Sequence, residues 1–200
     1  MKSEPTPVDK GVGAGRPRDP RIDAAILRAA AELVVEVGYT NLSLAAVAER
    51  AGTTKTALYR RWPSKAELVH EAVLSVPPSA VTSAPGDVAG DLLAMTAGAR
   101  DAFTNRVVRS ALPGLIADMA TNAELTARAL ERFDGLFEVL RRWVADSADR
   151  GAVRPGIDPD RLAELIGGAA LLAMMLRPDD DLGGDWVERT ADIITRGVIA

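Results

Sequence analysis

The sequence predicts an all-α protein, and three observations carry that reading. Apolar residues recur at three- and four-residue steps along most of the 200-residue chain, the spacing that lines one face of a helix. No stretch alternates apolar and polar side chains with the period of two that a half-buried strand requires. Alanine, the strongest helix former, is the commonest residue.

Each element has its own local signals. Residues 1–20, rich in Pro, Gly and charge, read as a flexible basic arm carrying Arg16 and Arg18. From Arg21, the positions Ile22, Ile26, Ala29, Ala30, Leu33 and Val37 mark a first helix that Gly38 stops. Ser43 caps a second, short helix with Leu44, Val47, Ala48 and Ala51 on one face, and Gly52 ends it. Thr53 or Thr54 caps a third across residues 55–61, before Pro63. Ser64 and Glu67 form a capping box that opens a fourth helix running to Val76. After the small-residue loop at 77–86, helices are expected at about 87–109, 110–121 and 122–150, with Pro113 near the start of the middle one. Gly151, Pro155 and Gly156 break the pattern, and the last two helices span 160–176 and 185–199.

Composition removes several classes of function. Cys is absent and His70 is the sole histidine, so thiol catalysis, Cys/His zinc sites and Ser-His-Asp triads each lack a member. No phosphate loop or dinucleotide fingerprint is present, and neither an enzyme activity, a cofactor nor a metal is expected. The longest apolar run, residues 165–176, falls short of the roughly 18 residues of a membrane span, and residues 1–15 hold no apolar core of a signal peptide. A soluble protein, cytoplasmic and with no membrane partner, is the expectation. The net charge of −4 is unevenly spread. Residues 1–63 carry ten Lys/Arg against seven acids, and residues 64–200 carry 14 against 21, so that any polyanion would be held at the N-terminal end.

Two short helices joined by a Gly-containing turn have the dimensions of a helix-turn-helix, whose second helix enters the major groove. That second helix is unusually polar for a core element: Thr53, Thr54, Lys55 and Thr56 open it, and Tyr59, Arg60 and Arg61 follow. The stretch GYTNLSLAAVAERAGTTKTALYRRWPSKAELV resembles the DNA-binding signature of the TetR family of transcriptional repressors. Gly38-Tyr39, Val47-Ala48, Ala51-Gly52, Leu58-Tyr59, Trp62 and Ser64-Lys65 stand at that family's spacing, and the likeness covers about residues 16–70. Thr56 departs from it, standing where the family usually has Gly or Ala.

The chemistry of each residue fits such a role. Lys55 can reach a guanine edge or a phosphate, and Thr54 and Thr56 offer hydroxyls and methyls to base edges. Tyr59, one turn on, can bond phosphate through its hydroxyl, as can Lys65 in the first turn of the fourth helix. Thr53 and Arg60 complete the polar set, Ser43 caps and can also reach a phosphate, and Arg16 and Arg18 suit the minor groove or the backbone. Leu58 and Trp62 read as core. A small-molecule-binding or interaction protein whose helix-turn-helix is structural is the competing interpretation.

The remaining chain divides as a connecting helix at 64–76 and a helical effector-binding and dimerisation domain at 77–200, behind the DNA-binding unit at 21–63. The resemblance implies a palindromic double-stranded DNA operator, and a small-molecule effector held within the bundle that releases it. Phe103, Met119, Phe133, Phe137 and Met175 are the candidate lining, with Asn105, Arg106 or Asp118 as polar anchors. A twofold homodimer is expected through the last two helices, with Leu165, Ala169, Trp186, Ile193 and Ile194 at the interface and Gly167-Gly168 permitting close approach.

Overall fold

The structure is a computed structural model and describes residues 19–74 and 86–199. Arg16 and Arg18 therefore lie outside the described residues. Nine α-helices run through the described chain: α1 (Pro20–Asn41), α2 (Leu44–Arg50), α3 (Lys55–Tyr59), α4 (Lys65–Leu74), α5 (Val88–Thr104), α6 (Arg106–Met119), α7 (Ala123–Asp149), α8 (Pro159–Leu176) and α9 (Gly184–Val198). A 3-10 turn at Asp179–Leu182 links the last two. No strand forms among the described residues, and the one β-bridge, between Val153 and Ile199, closes the end of the bundle.

Side-chain caps set the helix starts. Asp19 accepts from the Arg21 amide at 3.0 Å with Pro20 in the first helical position, and Asp158 does the same for α8 ahead of Pro159. Gly38 interrupts α1 at φ +76°, a conformation that suits glycine, so the long helix proper ends at Val37 and Tyr39 begins a final separate turn. The break between α5 and α6 falls at Asn105, not between 109 and 110. Asn105 leaves the helical region at ψ 130° and its side-chain oxygen accepts from the Val107 amide at 2.9 Å, so one residue ends α5 and caps α6. Pro113 consequently lies in the middle of α6.

Two cores form. The first gathers Ile26, Ala30, Leu33 and Val34 of α1, Val47 and Ala48 of α2, Leu58 of α3, Trp62, and Leu68 and Val69 of α4. It also includes Ala111 and Leu115 of α6 and Leu125 of α7. The second lies at the far end and joins Val88 and Leu92 of α5, Leu140 and Val144 of α7, Leu162 and Ile166 of α8, and Val198 of α9. Buried Asp91, at its edge, accepts the Trp143 indole N–H at 2.6 Å. No helix among the described residues is long and apolar enough to cross a membrane.

Candidate nucleic-acid interface

The first three helices build a small head in which caps fix every joint. Ser43 Oγ accepts from the Ala46 amide at 3.2 Å and starts α2. Gly52, at φ +63°, turns the chain, and the Thr53 amide bonds back to the Ala48 carbonyl at 2.9 Å. Thr54, not Thr53, caps α3, accepting from the Ala57 amide at 3.2 Å. Short helices are marginal alone, so α3 depends on these bonds and on fully buried Leu58.

Burying Leu58 turns the opposite face of α3 outward. Thr54, Lys55, Thr56, Tyr59 and Arg60 are exposed, Tyr59 at 51%, and Thr53 is half-buried at the turn. The two arginines that follow Tyr59 part company. Arg60 points to solvent, whereas Arg61 folds inward, pairs with Asp23 of α1 and donates to the Ala57 carbonyl at 3.2 Å. Trp62 is core, with its indole N–H on Glu71 at 2.7 Å.

At the start of α4, the Ser64–Glu67 capping box is present, with the Glu67 amide 3.2 Å from Ser64 Oγ. Lys65 does not stand free beside it. Its ammonium donates to the carbonyls of Tyr39 at 3.0 Å and Thr40 at 3.3 Å and lies 4.4 Å from the centre of the Tyr39 ring. It thus closes the C-terminal turn of α1, a use the sequence does not signal because its partners lie about 25 residues upstream. The Tyr39 hydroxyl donates to Asp118 of α6. Burial, with the adjoining Asp118 carboxylate, raises its pKa above the usual tyrosine value.

The residues expected to line an effector site are drawn from four helices, α5 to α8, and stand in different surroundings. Met119 packs on the first core, Phe103 is half-buried at the end of α5, and Phe137 lies 5.9 Å beneath the Arg141 guanidinium. Phe133 and Met175 are exposed, because helical spacing marks an apolar face without saying what covers it. The polar anchors have other roles: Asn105 caps α6, Asp118 holds Tyr39, and Arg106 is exposed. Two clefts lie instead near the head. One of about 340 Å³ is lined by Arg61, Trp62, Glu67, His70, Glu71, Leu125, Arg128 and Glu131. The other, of about 350 Å³, is lined by Ser64, Lys65, Ala66, Asp118, Thr121, Asn122 and Leu125.

At the outer face of the bundle, α8 and α9 leave an apolar stripe uncovered. Leu165 is 63% and Ile193 71% exposed, with Leu172, Met175 and Leu176 also exposed along α8. Ala169 and Trp186 are half-buried, and Ile194 packs on the second core.

Comparison with known proteins agrees with this arrangement. The model of bacterial regulatory proteins of the tetR family matches residues 26–72, and that of the tetracyclin repressor-like C-terminal domain matches residues 84–194. An uncharacterised HTH-type transcriptional regulator of Mycobacterium tuberculosis is 29% identical over 78% of this chain and 79% of its own length. The DNA-binding transcriptional repressor TetR of Mycobacteroides abscessus is 32% identical over 68% of this chain and 62% of its own. Among solved structures, Salmonella enterica GusR superposes with a TM-score of 0.68 at 16% identity, covering 88% of this chain and 94% of that one. With a capped helix-turn-helix at one end and a helical body matched over most of its length, the chain belongs to the tetR family and is a DNA-binding transcriptional regulator.

Proposed function

We propose that the protein is a homodimeric repressor that holds a palindromic operator and releases it when a small molecule binds the helical body. The observation that carries the DNA-reading part is the exposed polar face of α3 over buried Leu58. Lys55 and Thr56 face the base edges, Thr53 and Thr54 lie at the entry to the groove, and Tyr59, Arg60 and Ser43 hold phosphates. Two N–H bonds of Lys65 are directed at α1 carbonyls, which leaves the third for a phosphate. Arg16 and Arg18 supply further contacts, to the minor groove or the DNA backbone. Acting on DNA by binding alone, the protein works in the cytoplasm without a catalytic step.

The uncovered stripe on α8 and α9 supports the dimer. Leu165, Ala169 and Ile193, flanked by Trp186 and Ile194, would pack against their mates about a twofold axis, setting two recognition helices roughly 34–36 Å apart or a multiple of it. The effector would occupy the body beside Phe103, Met119, Phe133, Phe137 and Met175. Two measurements test the proposal. Selection from a random duplex pool should enrich a palindrome, and light scattering should give twice the 21.1 kDa chain mass. Binding of every sequence alike, or a monomer at micromolar concentration, would overturn it.

A further inference from the structure

Helix α6 is tied at both ends to elements that the proposed function sets at opposite ends of the molecule. Near its start, Arg109 donates to the Arg177 carbonyl, the C-terminal cap of α8, at 3.1 Å. Near its end, Asp118 accepts the hydroxyl of Tyr39, which belongs to the last turn of α1. Between the ties stands Pro113, which removes one backbone hydrogen bond from the helix, and then Gly114.

Gly114 is a fitted seat for the tyrosine. A Cβ built on it would come within 2.6 Å of Tyr39 Cγ and 2.9 Å of Cε1, closer than real carbon atoms approach. Tyr39 is only 7% exposed, enclosed by that helix and its neighbours. The ring also carries the Lys65 ammonium, 4.4 Å from its centre, which binds the Tyr39 and Thr40 carbonyls as well. A continuous series of contacts therefore runs from Asp118 through Tyr39 to Lys65, at the start of α4 and next to the DNA-reading surface.

We infer that Tyr39, Gly114 and Asp118 form a latch that positions the head on α6. With the latch closed, the two heads of a dimer are held at the separation a palindrome requires. With it open, each head stays folded and reads its half-site but swings relative to its mate. These are positioning residues, acting through Lys65 and α1 and not through contact with a base. The inference rests on the proposed dimeric operator binding.

The test compares Tyr39→Phe, Asp118→Ala, their double variant and Asp118→Asn, each on the selected palindrome and on a duplex holding one half-site. A latch predicts that Tyr39→Phe and Asp118→Ala each weaken palindrome binding five-fold or more, the size of a typical coupling between sites, and that the double variant is no weaker than either. Half-site affinity should stay within two-fold of the wild type. Asp118→Asn, whose amide oxygen still accepts from the phenol, should restore palindrome binding. Equal losses on both duplexes would show damage to the head itself and overturn the latch, as would unchanged palindrome affinity in variants with a lowered melting temperature. Failure of the wild type to enrich any sequence would instead remove the proposed function, and the latch with it.

Discussion

Arg61 Nε rests on Asp23 Oδ1 with its side chain only 8% exposed, so the second arginine of the Arg60-Arg61 pair belongs to the head's interior. Asp23→Ala would leave that guanidinium buried without its anion. Fully enclosed pairs lose about 3–5 kcal/mol on such a change, and about 2 kcal/mol is expected here because Asp23 keeps partial access to water. Denaturant unfolding should show the loss. Arg60→Ala should leave unfolding unchanged and weaken DNA binding, so unequal stability of the two variants in the opposite order would contradict this division of roles.

Lys55→Ala should cost about 1–3 kcal/mol on the selected operator and relax preference at one base position, the mark of a base contact. Repeating the duplex selection with the variant reads this directly. A loss of equal size on every sequence would move Lys55 to the phosphate backbone, and would be accompanied by a salt slope shallower by about one.

Charging the uncovered stripe should separate the protomers. Leu165→Glu with Ile193→Lys replaces two exposed apolar side chains, neither of which belongs to a buried core cluster, so each protomer should stay folded. Sedimentation should report monomers with unchanged helical circular dichroism and with palindrome affinity reduced to that of a half-site. A variant still dimeric would place the interface elsewhere.

Tyr39 gives the folded state a pH dependence of definite sign. Its folded-state pKa is raised, chiefly by burial and then by the hydrogen bond to Asp118, so the neutral phenol favours the native state. The contribution is fully present below the unfolded tyrosine pKa of about 10 and is lost as pH rises above it, because the unfolded chain then releases a proton that the folded one retains. The stability difference between wild type and Tyr39→Phe should be flat from pH 7 to 9 and shift against the wild type above pH 10. A difference independent of pH up to 11 would disprove the assignment.

The head was legible because its signals are local. Gly38, Ser43, Gly52, Thr54 and Ser64 each act on backbone within four residues, and the structure uses each of them as the sequence implies. The all-helical body was legible for the same reason, save for the break at Asn105, where one polar residue in a helical pattern could as well have faced solvent. Roles that depend on distant partners were not legible. Asp118 lies 79 residues from Tyr39, and the inward turn of Arg61 depends on α1. Gly114 left a faint trace, as a second poor helix former directly after Pro113. The effector lining rests on a signal of another kind: the bulky side chains of α7 and α8 mark apolar faces without naming what covers them, and Leu130, Phe133, Leu136 and Val139 are exposed along α7.

The first core takes no account of the line between reader and body. Ala111, Leu115 and Leu125 are enclosed in the same cluster as Ile26, Val47 and Leu58. A fragment cut after α4 would expose that seam to water and melt, so the reader is not an autonomous cassette. Exchanging heads between relatives to redirect a regulator would require the matching surface of α6, and the first turn of α7, to travel with the graft.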